Sequence, residues 1–383
     1  MTVTDVWTDL VGQEPVVETL RSAVASAGGE GRSMTHAWLF TGPPGSGRSN
    51  AALAFAAALQ CEQGGCGHCH SCTSARAGSH PDITVITTQG LTIGVDGIRE
   101  YVRASSLRPA LGRWQVLVVE DADRLTDQAA AALLKAIEEP SKHTVWMLCA
   151  PSAEDVMITL RSRSRSVVLR TPGTAAIARL LVERDGIEPE MAQAVAAASQ
   201  GHIGRARGLA RDSSARERRR AILSIPVSIH GLGDCMAAAQ RISDEATARA
   251  ADFCDAADER ELADLRQAWG VEERGRRPAG FAGAVSALEK DQKRRRTRLT
   301  RDGIDGVLLD LLSFCRDVLT VQCATGIDLV NADVAADVAE MAQVWTPEST
   351  IGAIDAIVEC RESLTANAAP LLALERMMMG LRR

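Results

Sequence analysis

Between the apolar run Trp38-Leu39-Phe40 and an alanine-rich stretch from Asn50 to Leu59 lies the loop Gly42-Pro43-Pro44-Gly45-Ser46-Gly47-Arg48-Ser49. A strand, a glycine loop and a helix in that order make an anion site, because loop N–H groups and the helix N-terminus converge on one point. The phosphate-cradling consensus is Gly-x-x-x-x-Gly-Lys-Ser/Thr, and Arg48 stands where the lysine belongs. The candidate phosphate contacts are Gly42, Gly45, Gly47, Arg48 and Ser49. Arginine keeps the charge but replaces a slim ammonium with a broad planar fork, which is not a conservative change at a crowded phosphate. Drift is the alternative, since the chain uses lysine only at positions 135, 142, 290 and 293. Further on, Glu120-Asp121 close the apolar run Val116-Leu117-Val118-Val119. Acids at the carboxyl end of a buried strand are where such a fold holds Mg²⁺ and aims a water.

A second chemical cluster follows directly. Cys61, Cys66, Cys69 and Cys72 are spaced C-x4-C-x2-C-x2-C, with Gly64, Gly65 and Gly67 supplying turns among them. This spacing lets four thiolates converge on one tetrahedral ion, and zinc is the expectation; a redox pair or unligated thiols are the alternatives. Four cysteines close the shell without His68 or His70. A closed shell leaves no open position for substrate, so the site is expected to be structural. Cys149, Cys235, Cys254, Cys315, Cys323 and Cys360 are scattered and read as small core residues.

These groups need a scaffold. A chain of 383 residues with 46% hydrophobic content implies two or three domains with real cores. Its formal charge of −6 argues against a free-standing nucleic-acid binder, and 3% aromatic residues leave few platforms for stacking bases. No apolar run is long enough to span a bilayer, and Met1 to Leu10 carries Asp5 and Asp9 without a basic-then-apolar segment, so a cytoplasmic protein is expected. Around the loop, a helix is expected over Pro15 to Ala25 and near Asp96 to Ser105, and another ending at Pro140. Strands are expected at Ile83–Thr87, Val116–Val119, Thr144–Ala150 and Val167–Leu169. Strand and helix in alternation predict a parallel sheet covered on both faces.

Gly-Pro-Pro-Gly-Ser-Gly at 42–47, the four-cysteine insert, His80-Pro81-Asp82, Leu-Leu-Lys-Ala-Ile-Glu-Glu-Pro at 133–140 and Leu-Arg-Ser-Arg-Ser at 160–164 together resemble the AAA+ subunits of the bacterial DNA polymerase III clamp loader. The match covers residues 1 to about 210. The resemblance implies an α/β AAA+ P-loop core over 1–170 with its zinc module at 61–72, a helical lid over 171–211, and an all-helical collar for oligomerisation over 212–383. Within the family, gamma/tau is the ATPase, and delta-prime shares the module but usually has a degraded nucleotide site. Four positions point to the second kind: Arg48; the family's Asp-Glu pair inverted to Glu120-Asp121; Cys149-Ala150-Pro151 without the polar residue of hydrolysing relatives; and Gly204 where gamma-type members carry a phosphate-sensing arginine. ATP or ADP as a static ligand stays open, with hydrolysis not expected.

Arg163 is the intact feature. In the family a Ser-Arg-Cys motif ends the helix after the third core strand and supplies an arginine finger to the ATP of the adjacent subunit; here it reads Ser162-Arg163-Ser164. A guanidinium suits that task because its planar donors spread charge developing on the γ-phosphate. A solvated or DNA-facing basic loop is the competing reading. After a linker expected at Asp212–Arg220, helical periodicity runs around Met236–Ile242, Phe253–Leu265, Ile304–Val321, Val334–Val344 and Ile351–Leu374, with an exposed connection at Gly270–Gly283. The basic stretches 216–220 and 290–301 suit either DNA phosphates or a solvated face. The resemblance implies gamma/tau and delta subunits, the sliding clamp and primed DNA as partners, in a nucleoid-associated cytoplasmic setting with no membrane. An ATP-hydrolysing gamma/tau-type subunit is the alternative, and a stand-alone DNA-binding AAA+ protein a third reading.

Overall fold

The computed structural model describes residues 5–27, 33–88, 90–271, 278 and 280–382 of the chain. It divides into two units, Met1–Ala210 and Arg211–Arg383.

The first unit is built on five parallel strands: β1 (Ala37–Thr41), β2 (Ile83–Ile86), β3 (Gln115–Val119), β4 (Thr144–Ala150) and β5 (Arg165–Val168), in spatial order β2-β3-β4-β1-β5. β1, β3 and β4 are buried along their whole length, which is why they read as continuous apolar runs rather than alternating ones. Their side chains nevertheless divide by parity, because successive residues of a strand face opposite ways. Trp38, Phe40, Val116, Val118, Val145 and Met147 pack with α1 (Glu14–Ser26), α2 (Arg48–Gln60) and α3 (His70–Arg76). Leu39, Leu117, Val119, Trp146 and Leu148 pack with α4 (Val95–Ala104), α5 (Asp127–Glu138) and α6 (Ile158–Arg161). The alanines of α2 let it lie close on the sheet, and Phe55 fills the remaining gap edge-on to Trp38 at 5.0 Å between ring centres. α7 (Thr174–Asp185), α8 (Pro189–Ala198) and α9 (Ile203–Arg211) follow the sheet.

The second unit is all helical among its described residues: α10 (Ser213–Leu223), α11 (Ile225–Ser228), α12 (Leu232–Ala268), α13 (Phe281–Gln322), α14 (Ala335–Val344), α15 (Pro347–Thr365) and α16 (Pro370–Gly380). Its core joins Ile242 and Ala246 of α12 to Ile304, Leu308, Leu311 and Phe314 of α13 and to Ile357, Leu374 and Met378. α12 and α13 span 37 and 42 residues and run antiparallel beyond that core. There Asp258 meets Arg295 and Arg296, and Trp269 meets Phe281 at 6.0 Å. Buried charges need partners: Arg219 is held by Asp310 at 2.9 Å and by Asn331, which in turn donates to Asp317 at 2.8 Å.

Several expectations change. The segment 212–220 is not a linker: Asp212 caps α10 by accepting from the Ser214 N–H at 2.8 Å, and the helix continues through it. The last strand of the sheet is 165–168 rather than 167–169. α6 and Arg163 follow β4, the fourth strand along the chain and not the third. Periodicity over 351–374 is broken between Thr365 and Pro370 into two helices. Cys323 is exposed rather than a core residue, while the other five scattered cysteines are buried. Of the connection expected at 270–283, residues 272–277 and 279 lie outside the described residues, and Phe281 already opens α13. No helix among the described residues is long and apolar enough to cross a membrane.

Candidate functional site

The glycine loop joins the end of β1 to the start of α2 and is tied down from three sides. The Gly42 N–H donates to the Pro151 carbonyl beyond β4 at 3.1 Å. Gln13 Nε2 donates to the Arg170 carbonyl at 2.6 Å and to the Ser46 carbonyl at 3.4 Å, and Gln13 Oε1 accepts from the Arg170 N–H at 3.1 Å. Gly47, the N-cap of α2, has φ of 90°, a left-handed conformation that glycine adopts without strain.

Two side chains lie against the loop. Arg48 folds back so that Nη1 donates to the Gly42 carbonyl at 2.7 Å, directing the fork at the loop's own backbone. His202, from the turn before α9, lies against Gly45: a Cβ on residue 45 would come within 2.5 Å of the His202 ring and 2.6 Å of its Cα. Burial pushes the His202 pKa down, and Nδ1 accepts from the Arg205 N–H at 3.1 Å, so the ring is neutral with its proton on Nε2. Gly204 sits one turn on, and the nearby Arg207 is turned to Asp185 at 2.8 Å. Ser46 is 3% exposed and its hydroxyl has no partner among the described residues. Arg48 and His202 thus both lie against the backbone of the loop.

Glu120 and Asp121 leave the end of β3, and Asp121 adopts a left-handed φ of 54°. Burial pushes the Cys149 thiol up to about 12, the Glu120 carboxylate adds to this and the Arg48 guanidinium opposes it. All three therefore act within one electrostatic site, which holds a neutral thiol. Asp123, two residues beyond Asp121, is also raised by burial, and its Oδ1 is buried without a hydrogen-bond partner among the described residues.

Arg163 follows the four-residue α6, with its side chain 41% exposed. Nε lies 2.7 Å from Glu138 Oε1 at the end of α5, and Nη1 donates to the Thr159 carbonyl at 3.1 Å and to Ser162 Oγ at 3.2 Å. Arg161 reaches Glu154 at 3.7 Å, and Arg165 stacks over the Trp38 ring at 5.0 Å. The three arginines of the motif thus have three different environments.

The sulfurs of Cys61, Cys66, Cys69 and Cys72 all lie within 4.8 Å of one another. Cys61 is 3.7 Å from both Cys66 and Cys69. A tetrahedral ion with metal–sulfur bonds of about 2.3 Å sets sulfur–sulfur edges of about 3.8 Å, so the four cysteines fit one metal. Cys69 caps α3 by accepting from the Cys72 N–H at 3.4 Å. Burial pushes the Cys61 thiol up, but amides of Cys66, Gly65 and Gln63 outweigh it and bring it to about 6; burial raises Cys72. His68 and His70 are exposed outside the cluster. The insert is anchored where the Val6 N–H donates to the Gly65 carbonyl at 3.0 Å.

Sequence patterns did not single out Gln13, Glu138 or His202 as parts of these sites. Asp82, in the His-Pro-Asp motif, proves to be a backbone anchor: it is 1% exposed and accepts from the amides of Ala110, Leu111 and Gly112. Most arginines of the basic runs are paired within the chain. Arg219 is buried, Arg295 pairs with Asp258 and Glu261, Arg296 with Asp255 and Asp258, and Arg301 donates to Asn367 at 2.7 Å.

A parallel sheet in this order, with a glycine loop after β1, acids after β3 and a helical segment behind, defines a P-loop module of the AAA+ class. Residues 12–173 match the family model for the DNA polymerase III delta subunit. Over 143 residues the chain is 40% identical to the delta-prime subunit of Escherichia coli, covering 36% of this chain and 43% of that protein. It is 29% identical over 200 residues to the delta-prime subunit of Bacillus subtilis, covering 51% and 60%. It is 34% identical over 188 residues to gamma/tau of Mycobacterium tuberculosis, covering 47% and 32%. Over this region the chain is similar to the subunits of the DNA polymerase III clamp loader, delta-prime among them. The chain spans between a third and three fifths of the length of these relatives. Among solved structures, a gamma subunit-related protein of Thermotoga maritima aligns with a TM-score of 0.44 at 16% identity over 96% of this chain and 98% of that one, too loose a likeness to add to the assignment.

Proposed function

We propose that this chain is a delta-prime-type subunit of the DNA polymerase III clamp loader, assembling with gamma/tau and delta subunits to place the sliding clamp on primed DNA. Residues 171–211 serve as the lid and 212–383 as the collar through which the subunits form their ring. The four thiolates hold a structural Zn²⁺ that fixes the insert against the core. The chain's own nucleotide site does not turn over, and Arg163 enters the ATP site of an adjacent gamma/tau subunit. In that position the guanidinium donates to the γ-phosphate oxygens and spreads the charge that develops on them during transfer to water.

One observation carries the reading: the arginine at the P-loop lysine position is bonded to its own loop under a histidine lid, while the arginine of the Ser-Arg-Ser motif projects 41% exposed from the end of α6. An ATP-hydrolysing gamma/tau-type subunit is the second reading, favoured by the 34% identity to gamma/tau over the core. Turnover by the isolated full-length chain separates the two. No measurable hydrolysis alone, with loss of partner ATPase in the Arg163→Ala assembly, supports the first; brisk hydrolysis by the single chain supports the second and removes the first.

A further inference from the structure

Arg163 sits on poor support for a group that must be aimed. α6 has only four residues, and the two Nη1 hydrogen bonds, to Thr159 and Ser162, are local to the same short segment. They fix the guanidinium relative to α6 but not relative to the rest of the module. The one contact that reaches a longer element is Nε against Glu138, 2.7 Å away on the last residue of the twelve-residue α5. α5 is held on the sheet by Leu133 and Ile137, both fully buried, so this ion pair ties the end of α6 to the core. Nη2 makes no hydrogen bond among the described residues, which leaves that corner of the fork facing outward.

Glu138 is also badly placed for its own helix. The C-terminal end of a helix carries partial negative charge and disfavours a carboxylate in the last turn, yet α5 ends on Glu138 followed by Glu139, with Lys135 the basic residue in that turn. A residue that breaks a local rule without strengthening its element marks a requirement set elsewhere. Helix stability does not select Glu138. The pair is also half exposed, with both side chains 41% accessible, and such pairs contribute little to folding.

We propose that Glu138 is the positioning residue for Arg163: its carboxylate engages Nε, fixes the plane of the guanidinium and presents the Nη2 corner to an anion on an adjacent subunit. The inference rests on the reading of Arg163 as the trans-acting finger and adds what aims it. Glu138 touches no phosphate itself. A carboxylate on the Nε side leaves Nη2 to the incoming oxygens, whereas a carboxylate across the terminal nitrogens would compete with them.

The test uses the complete assembly, with full-length chain as wild type, Arg163→Ala, Glu138→Ala, Glu138→Gln and the double variant, each combined with hydrolysing gamma/tau-type and delta partners. Steady-state ATPase is read against ATP concentration in the presence of clamp and primed DNA, with thermal melting of each chain recorded alongside. Glu138→Ala is expected to lower kcat about 3- to 10-fold with KM for ATP unchanged, as loss of aim rather than of a contact predicts. Glu138→Gln keeps the size of the side chain but not its charge, and is expected to lower kcat about as much as Glu138→Ala because the 2.7 Å contact with Nε is an ion pair. Glu138→Ala has no further effect in the Arg163→Ala background. A wild-type rate in Glu138→Ala, a raised rate, or an added loss on top of Arg163→Ala overturns the inference while leaving the finger reading intact. A wild-type rate in Arg163→Ala overturns both.

Discussion

The closed P-loop makes a quantitative statement about nucleotide affinity. For a phosphate to seat on the loop, Arg48 has to release the Gly42 carbonyl, to which Nη1 is bonded at 2.7 Å. A hydrogen bond from a charged donor contributes about 1.5–3 kcal/mol. His202 must also lift off Gly45, losing about 1 kcal/mol of buried contact. Together these amount to about 3 kcal/mol, a factor of about 10² in dissociation constant. Replacing Arg48 by Lys and His202 by Ala in the same chain removes both obstacles and is expected to tighten ADP and ATP binding by about that factor. His202→Ala alone recovers less, because Arg48 still has to release the Gly42 carbonyl. Calorimetric titration of the purified chain with each nucleotide reads the effect directly. No variant of the set is expected to hydrolyse ATP, since Glu120, Asp121 and Cys149 are unchanged. Equal affinities in wild type and double variant would refute the idea that these two side chains close the site, and turnover restored by Arg48→Lys alone would refute the account of the acids.

Three other outcomes follow from the same geometry. Arg163→Ala should leave assembly intact, since the side chain is half exposed and outside either core, yet lower the ATPase of the site it serves by several powers of ten; co-elution with partners and single-turnover hydrolysis measure the two halves. Cys66→Ser should release one metal equivalent and lower the melting temperature of the first unit, read by a chromogenic chelator and by calorimetry; a fully folded metal-free chain would contradict a structural ion. Asp82→Ala should cost about 2–4 kcal/mol, because the amides of Ala110, Leu111 and Gly112 lose their acceptor. For Asp82, burial raises the pKa but the three amides outweigh it, so the carboxyl titrates below its ordinary value of 3.8. Its contribution is therefore present above that value and is lost as pH falls beneath it, and acid unfolding of Asp82→Ala should be flatter than wild type in that interval.

Continuous apolar runs and the proline at 140 gave away the sheet and most of its helices, because fully buried strands and a helix stop leave marks within a few residues. The cysteine cluster was equally plain, since ligand spacing is local. What stayed hidden depended on distance in sequence. Asp212–Arg220 carries the serine and charge of a linker, yet Asp212 is a helix cap and Arg219 finds Asp310, 91 residues away. Lys290–Arg301 has the composition of a phosphate-binding stretch, but two of its five arginines, Arg295 and Arg296, are taken up by Asp258 and Glu261 on the facing helix. Composition counts charges and cannot assign their partners. Glu138 and Arg163 are 25 residues apart and His202 and Gly45 more than 150; no periodicity links such pairs.

Arginine shows why partner geometry, not residue type, decides the reading of this chain. The guanidinium keeps its proton at any relevant pH and carries five donors that need acceptors. Arg219 gives its donors to a buried carboxylate and amide, so its charge is neutralised and its role is to hold the helical unit together. Arg48 gives its Nη1 donor to a backbone carbonyl, which satisfies the hydrogen bond but leaves the positive charge in place. The loop therefore keeps a positive charge while the fork faces its own backbone. Arg163 is paired with the Glu138 carboxylate, but that pair is half exposed and Nη2 is free of hydrogen bonds among the described residues, so one donor remains for an acceptor from outside. On the proposed reading, that acceptor is a phosphate held by an adjacent subunit.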